Sequence, residues 1–380
     1  MNNISKYQEL VFNYDEKILI EIIEVLKSNN YCKLQYIPTR RSILAIIKEH
    51  HNMLNFITKN KHLLFYYSLF PKIYRLLLKK KLQYCLDICF FNKAINKQKL
   101  IEIFSQNLFD KALSNNIIFQ EGSLFRFSLS FIPFENYIMI RDQYQVYDKY
   151  ELDPEKLDER VWMGSDSIIF SGIIKKCLKN KLFNRGVEIG SGTGIQTIVM
   201  SKYTKSCEAI DCNNRAVQYT KLNASINKIK NIKTNYSNLF ENIEGDFDLI
   251  LANPWFIDID KGGLEEVPDI MEKLGTYLRK DGLCLLLLNS FIKNGRDTVY
   301  DYFKNFIRST DYNIDLYALG YTIDTYRKKK YKEYDIHHEV SYYAIIKKNG
   351  EGILKRNETS LLRWIRDYTY ISAYRIINRK

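Results

Sequence analysis

Three features are missing from the sequence, and each absence excludes a class of protein. No run of about eighteen apolar residues is present, although a membrane-spanning helix requires one. The first twenty residues contain Glu9, Asp15 and Glu16, whereas a secretory signal has an uninterrupted apolar segment there. The seven cysteines include no Cys-x-x-Cys pair. We therefore expect a cytoplasmic protein without a membrane partner.

The sequence also offers little that could hold a metal ion. Cys85 and Cys89 would share one helical face, but a zinc site needs a second pair of ligands and no matching pair lies elsewhere. We therefore expect both cysteines in the hydrophobic core. His50 and His51 are adjacent and would point to different sides of a helix. We expect no metal centre.

The length of 380 residues exceeds that of one ordinary α/β domain, so we expect two domains and a tail. The expected boundaries are 1–150 for an N-terminal domain, 160–348 for a catalytic domain and 349–380 for a basic tail. The tail from Leu354 to Lys380 is expected to be a helix.

The N-terminal domain is expected to be helical and then extended. Apolar residues recur at helical spacing over residues 1–96, and another helix is predicted over Lys99–Leu108. Alternating apolar residues from Phe125 to Phe131 predict a strand with one buried face, and Tyr137–Ile140 predicts a further strand after a break at Pro133. Helices followed by a hairpin are winged-helix-like, which fits nucleic-acid binding, substrate or partner docking, or a structural cap.

The net charge of +13 is unevenly distributed. Residues 156–326 carry equal numbers of basic and acidic side chains, so the excess lies on either side of them. Basic flanks can guide a polyanion such as RNA toward a neutral site, but solvated surface lysines would give the same count. The charge alone leaves both possibilities open.

The most informative stretch is residues 185–194, in which a short apolar strand containing Glu188 leads into glycines at alternate positions. Such a turn, followed by a helix from Ile195, is typical of a nucleotide-binding unit. The spacing differs from the dinucleotide pattern, and an acid before the first glycine would repel phosphate. It suits S-adenosylmethionine, which has no phosphate and carries a sulfonium and an amino group. The candidate cofactor-binding residues here are Glu188, Gly190, Ser191, Gly192, Thr193 and Gly194.

After this turn the chain alternates between strands and helices, as in a doubly wound sheet. Asp211 ends the predicted second strand, where a carboxylate can accept hydrogen bonds from both ribose hydroxyls. Asn238 and Leu239 follow the predicted third strand, Ile232–Tyr236.

A second informative stretch begins with the apolar strand at residues 247–252 and continues as Asn253-Pro254-Trp255-Phe256. The strand would deliver these four residues to the carboxyl edge of the sheet, where ligands bind. The Asn253 side-chain oxygen and the Pro254 carbonyl could each accept a hydrogen from an NH2 group, and Phe256 could stack on a flat substrate. A plain turn is the alternative interpretation of Asn-Pro.

Both stretches resemble sequence motifs of one enzyme family. Residues 188–194 resemble motif I of the class I S-adenosylmethionine-dependent methyltransferases. Residues 253–256 resemble the Asn-Pro-Pro-Tyr/Phe motif of N-methyltransferases that act on planar nitrogens, as in the methyltransferase small-domain and glutamine-methylating groups. Trp255 stands where the motif has its second proline, so the loop could differ in shape.

The resemblance implies a Rossmann-like, seven-stranded α/β sheet over residues 160–348 with S-adenosylmethionine as cofactor. It also implies that Asn238 and Leu239 contact the adenine, and that Asn253 lies beside both cofactor and substrate. The segment 161–167 would close over the methionine end of the cofactor. Alternatively, Asp166 and Ser167 simply cap the helix that follows.

The sequence therefore predicts an S-adenosylmethionine-dependent N-methyltransferase. The favoured acceptor is a side-chain amide of a protein or peptide. One alternative is an exocyclic amine of adenine or guanine in RNA or DNA, which the basic flanks favour. The other is a cofactor-binding protein without transfer activity, in which Trp255 closes the acceptor pocket.

Overall fold

The computed structural model describes residues 14–34, 78–142, 161, 163–254, 261–309, 311–322, 328–348 and 350–358. The N-terminal part is formed by helices and two separate β-hairpins. Its helices are α1 (Glu16–Ser28), α2 (Lys80–Cys85), α3 (Lys97–Phe104) and α4 (Gln106–Ser114), with a 3-10 turn at Tyr31–Lys33 and a π-helical turn at Leu86–Phe90. The hairpins pair β1 (Ile118–Glu121) with β2 (Leu124–Phe127) and β3 (Ser130–Phe134) with β4 (Tyr137–Arg141).

The structure corrects three boundaries in this part. The helix predicted over Lys99–Leu108 is two helices, because Ser105 adopts a φ of 68° and its hydroxyl accepts a hydrogen bond from Leu108 N. The run Phe125–Phe131 is divided between β2 and β3 rather than forming one strand. Pro133 lies inside β3 opposite Ile138 and does not end it. A two-stranded sheet tolerates proline because each strand has an unpaired edge.

The C-terminal part is an α/β sheet with helices on both faces. Its strands are β5 (Phe183–Ile189), β6 (Thr204–Asp211), β7 (Ile232–Tyr236), β8 (Phe247–Ala252), β9 (Leu278–Lys293), β10 (Arg296–Asp297), β11 (Tyr312–Thr322), β12 (Ile336–Lys348) and β13 (Leu354–Glu358). Its helices are α5 (Ser165–Leu178), α6 (Ile195–Met200), α7 (Asn214–Ile226), α8 (Val267–Tyr277), α9 (Thr298–Phe306) and α10 (Lys328–Glu333).

The strand order is β13-β11-β12-β9-β8-β5-β6-β7, and β10 pairs with β9. Strands β5 to β9 are parallel neighbours, whereas β12 is antiparallel to both β9 and β11. The predicted α/β class is confirmed. The sheet has nine strands instead of seven, because β10 folds back on β9 and β13 is added at the edge beside β11.

Strand β13 also corrects the expected helical tail. Residues 354–358 pair in parallel with β11, from Ile314 opposite Leu354 to Ala318 opposite Glu358. This pairing provides hydrogen-bond partners for backbone groups on the outer side of β11, which would otherwise be an open edge of the sheet. Residues 359–380 lie outside the described residues.

The N-terminal part and one face of the sheet share a single apolar core. Buried residues of α1, β3 and β4 belong to the same cluster as Leu249, Leu251 and Leu285 of the sheet and Ile198 of α6. The opposite face carries a separate core with α8 and α9. Within the described ranges, none of the helices has the length and hydropathy needed to cross a bilayer.

Asn223 of α7 and Asn227, the C-cap of that helix, bind the backbone of β4 as a neighbouring strand would. Asn223 accepts from Ile140 N at 2.7 Å and donates to Ile140 O at 2.9 Å. Asn227 accepts from Ile138 N at 3.2 Å and donates to Ile138 O at 2.9 Å. The spacing fits because four helical residues rise about 6 Å and two strand residues about 6.6 Å.

Asp142 makes the second connection between the two parts. Its carboxylate accepts from Arg215, from Tyr219 OH at 2.7 Å and from Val161 N at 2.9 Å. Asp142 N also donates to Val161 O at 3.0 Å. Asp142, which follows the hairpin, and Val161, where the described chain resumes, are therefore held against each other.

Candidate active site

The glycine turn between β5 and α6 has the backbone that its sequence predicts. Gly190, Gly192 and Gly194 have φ values of 70°, 54° and 79°. A Cβ at Gly190 or Gly192 would meet no atom within 4 Å, so the outer side of the turn is open to a ligand. A Cβ at Gly194 would lie 2.7 Å from Thr220 Cγ2, so this glycine allows α7 to pack against the turn.

Ser191 and Thr193 fix the turn to its neighbours. Ser191 N donates to Ile210 O at 3.0 Å, and Thr220 Oγ1 donates to Ser191 Oγ at 3.2 Å. Asn223 Nδ2 donates to Thr193 O at 2.9 Å. Ser191 and Thr193 are each 2% exposed. Their side chains therefore face the protein interior, and only their backbone atoms can contact a ligand on the open side of the turn.

Glu188 lies beneath the turn and is completely buried. Its Oε2 accepts a hydrogen bond from the Thr197 hydroxyl of α6, and its Oε1 has no hydrogen-bond partner among the described residues. Burial raises the pKa of Glu188 to about 8, and the charge of Asp211 acts in the same direction. The predicted contact with a cationic group stays a prediction.

Asp211 ends β6 and faces the glycine turn. Its Oδ2 accepts from Gly192 N and its Oδ1 from Asn213 N, each at 2.9 Å. Burial raises the pKa of Asp211 above its usual value. Each carboxylate oxygen retains acceptor capacity, so ribose hydroxyls could donate to it as the sequence predicts.

Asn238 and Leu239 lie at the same edge of the sheet, beside Asp211. Ser237 N donates to Asp211 O at 3.1 Å, which holds the start of this segment. Asn238 is exposed and donates to Glu241 Oε1 at 3.0 Å, while Leu239 has a φ of 48°. Their predicted contact with adenine stays a prediction.

Asn253 and Pro254 follow β8 at the carboxyl edge. Asn253 Nδ2 donates to Asp166 Oδ2 at 3.0 Å. Asn253 Oδ1 is buried and has no hydrogen-bond partner in the part of the chain that the structure describes. Trp255 and Phe256, the other two predicted catalytic residues, lie outside the described residues.

The segment before α5 differs from the predicted cap. The N-cap of α5 is Gly164, with no side-chain capping bond, and Asp166 lies in the first turn. Asp166 instead reaches Asn253, and Ser167 O accepts from Gln196 Nε2 at 3.2 Å. The segment is therefore joined to both ends of the site, to α6 and to the end of β8.

These positions fall in a region with recognisable relatives. The methyltransferase small domain model matches residues 169–313. A candidate protein N5-glutamine methyltransferase of Methanocaldococcus jannaschii is 33% identical over 160 residues, which are 37% of this chain and 76% of that protein. The chain belongs to the methyltransferase small-domain family.

Two further relatives match shorter shares of their own length. A ribosomal protein L11 methyltransferase of Lactobacillus acidophilus is 26% identical over 40% of this chain and 47% of that protein. A ribosomal RNA small subunit methyltransferase C of Haemophilus influenzae is 25% identical over 32% of this chain and 37% of that protein. Both matches span less than half of the relative.

The methyltransferase depends on S-adenosylmethionine, and the geometry fits that cofactor. The open side of Gly190 and Gly192 can lie under the nucleoside, and Asp211 has acceptor capacity for the ribose. Oε1 of Glu188, at the end of the strand that leads into the turn, is buried and has no hydrogen-bond partner among the described residues. A bound cofactor supplies an activated methyl group. The described residues contain no group of three or more His, Cys, Asp or Glu side chains that could hold a metal ion.

Three residues of the site were not predicted in their observed roles. Thr197 binds Glu188, Asn223 binds the glycine turn, and Asp166 binds Asn253. Thr197 could have been inferred, because it lies on the first turns of the helix that follows Glu188. Asp166 is 87 positions from Asn253, and only its place before motif I marked it.

Proposed function

We propose that the protein is an N-methyltransferase for a planar nitrogen, with Asn253 and Pro254 as the residues that bind the acceptor NH2 group. The observation that carries this proposal is the unpartnered, buried Oδ1 of Asn253. A buried amide oxygen without a partner costs about 1–3 kcal/mol, which a substrate that donates a hydrogen bond would offset.

The chemistry explains why such an acceptor pair is needed. The lone pair of an amide or aryl amine nitrogen is delocalised, which makes the nitrogen a poor nucleophile. Two acceptors that hold its hydrogens orient the nitrogen toward the methyl group and favour a pyramidal geometry. Asn253 Oδ1 supplies one acceptor, and the Pro254 carbonyl supplies the other.

A side-chain amide of a protein or peptide is the first candidate acceptor. The support is the 33% identity to the candidate protein N5-glutamine methyltransferase, which extends over 76% of that relative.

An exocyclic amine in RNA is the second candidate, and a basic groove favours it. A cavity of about 620 Å³ runs between α9 and β13 and is lined by Arg296, Lys304, Arg308 and Arg356, with Tyr300, Asp297 and Asp301 among them. Arg356 lies over the Tyr300 ring, 5.4 Å from its centroid. Lys304 of α9 and Arg308 of the 3-10 turn that follows it (Ile307–Ser309) are both exposed, which suits contact with phosphates.

The test of the proposed activity uses methyl-labelled S-adenosylmethionine with the purified protein and a cell lysate. We expect transfer of label by the wild type, and its loss in Asn253→Ala with unchanged affinity for S-adenosylhomocysteine. Asn107→Ala, an exposed asparagine on α4, is the matched control and should keep full transfer. A fully active Asn253→Ala protein would reject the proposal, and a protein that binds cofactor but labels nothing would be a binding protein.

Digestion of the labelled material separates the two acceptor classes. Label released by protease but not by ribonuclease supports the protein amide, and the opposite result supports RNA. For RNA, Lys304→Glu with Arg308→Glu should lower transfer and reduce its salt dependence. Lys179→Glu with Lys181→Glu, two exposed lysines after α5, removes the same charge and should have little effect.

A further inference from the structure

We infer that Asp166 is a positioning residue that sets the orientation of the Asn253 amide, so that its oxygen rather than its nitrogen faces the acceptor. The inference rests on the proposed function, because only an NH2 acceptor requires an oxygen at that place. We assign Asp166 no contact of its own with cofactor or substrate.

An asparagine side chain can present either end of its amide. Rotation by 180° about the Cβ–Cγ bond exchanges the oxygen for the NH2 group with almost no change in shape. In the exchanged orientation Asn253 would direct hydrogens at the hydrogens of the acceptor nitrogen. A site that uses Asn253 Oδ1 therefore needs a group that selects one orientation.

Asp166 is such a group. An ionised carboxylate accepts hydrogen bonds and cannot donate them, so only the Nδ2 end of Asn253 can pair with it. The observed Nδ2 to Oδ2 distance is 3.0 Å. The exchanged orientation would place an amide oxygen against a carboxylate oxygen, which is repulsive in a partly buried site.

The local fold holds the Asp166 carboxylate in place. A Cβ at Gly164 would lie 2.2 Å from Asp166 Oδ1, so the carboxylate occupies the space that a side chain at 164 would take. Gly164 has a φ of −92°, which any residue can adopt, so this space is the reason for a glycine here. Asp166 also lies in the first turn of α5, where the positive end of the helix dipole stabilises a negative charge.

The N-terminal part fixes the segment that carries Asp166. Arg141 Nη1 donates to Met163 O at 2.7 Å. Val161 exchanges two hydrogen bonds with Asp142, at 2.9 and 3.0 Å. Hydrogen bonds from the N-terminal part therefore hold the chain at Val161 and at Met163, shortly before Asp166.

A graded series of variants tests the inference by the initial rate of label transfer to the lysate fraction. Asp166→Ala leaves Asn253 Nδ2 unpaired in the productive orientation, so we expect a fall of about tenfold or more. Asp166→Asn can form a hydrogen bond with either end of the Asn253 amide, so both orientations of Asn253 become about equally populated. Since only one of them is productive, we expect the transfer rate to fall about twofold. Affinity for S-adenosylhomocysteine should be unchanged in both. A loss in Asp166→Asn equal to that in Asp166→Ala would show that the charge acts directly and would overturn the inference.

Gly164→Ala tests the same contact from the other side. Its methyl group would displace the Asp166 carboxylate, so the rate should fall toward that of Asp166→Ala. Gly172→Ala in α5, where an added Cβ meets nothing within 4 Å, is the control and should keep the wild-type rate. Equal rates for Gly164→Ala and Gly172→Ala would contradict the inference.

A readout without catalysis separates this inference from the proposed function. Thermal unfolding of Asp166→Ala, Asn253→Ala and the double variant should show coupling, so that the second substitution adds almost no further decrease in Tm. Additive decreases would mean that the two side chains do not interact, and the inference would fail. If wild-type transfer depends on Asn253 but not on Asp166, the inference alone fails. If coupling is present but no lysate fraction is labelled, the proposed function fails, and with it the role given to the contact.

Discussion

Burial changes the protonation behaviour of Glu188, the acid of the glycine-turn motif. The sequence motif places here an acid that could hold a cationic group, and the carboxyl is fully buried and accepts a hydrogen bond from Thr197. Its pKa of about 8 means that the group is largely protonated at neutral pH without a ligand. A nearby positive charge on the cofactor would favour the ionised form.

The raised pKa predicts a specific dependence of stability on pH. The ordinary pKa of a glutamate is 4.5, so between pH 4.5 and about 8 the folded chain holds a proton that the unfolded chain has lost. The contribution of Glu188 to stability therefore falls as pH rises through this range. Glu188→Gln, which cannot ionise, should gain in Tm relative to wild type as pH increases from 5 to 9.

The control for this measurement is Glu244→Gln, an exposed glutamate before β8. Its Tm should follow the wild-type curve at every pH. Parallel curves for Glu188→Gln and wild type would show that the carboxyl has no raised pKa in solution.

The last glycine of the turn should be the least replaceable. Gly194→Ala combines a φ of 79° with a Cβ contact of 2.7 Å to Thr220, so we expect a large decrease in Tm and loss of S-adenosylhomocysteine binding. Gly172→Ala should be neutral or raise Tm, because alanine is favoured in a helix. Calorimetric titration and thermal unfolding of both variants measure the difference, and equal behaviour would contradict the proposed packing of α7 on the turn.

The residues of the site were predictable where their place follows from strand position. Asp211 and Asn253 each stand at the end of a parallel strand, and the three glycines have a spacing that can be read directly. The bond from Asp166 to Asn253 was not predictable, because it depends on how a helix end meets a strand 87 positions later. The hydrogen bond from Thr197 to Glu188 was not predicted either, because it depends on how α6 packs against β5.

At the scale of elements, strong periodicity gave accurate boundaries. Strand β7 was predicted at its observed limits, and β8 likewise begins at Phe247 and ends at Ala252. The errors occur where tertiary contacts decide. Ser105 interrupts a helix through its own backbone angle, and β13 is a strand only because β11 offers an open edge.

The contact of α7 with β4 predicts a stability effect at one asparagine. Asn223→Ala removes bonds to both backbone groups of Ile140 and to Thr193 O, and leaves them buried. We expect the free energy of unfolding to fall by on the order of 1–3 kcal/mol in urea. Lys221→Ala, on the exposed side of α7, should change it by only a few tenths. Similar values for the two variants would mean that the asparagine does not support β4.

At the scale of the whole molecule, the shared core predicts cooperative unfolding. Residues from α1 to β4 belong to the same apolar cluster as the sheet, so neither part buries its surface alone. Scanning calorimetry should show one transition, and S-adenosylhomocysteine should shift all of it upward. Two separable transitions, only one of which responds to the ligand, would show that the parts are independent.

The pairing of Asp142 with Val161 has a practical consequence for protein engineering. Because both ends of the intervening chain are tied together, its closure is already imposed, and doubling its length would cost only about 0.6 kcal/mol. A short fluorescent or affinity tag inserted between residues 150 and 151 should leave ligand binding intact. Such a reporter would be attached to the segment that leads, through Val161 and Met163, to the contact between Asp166 and Asn253.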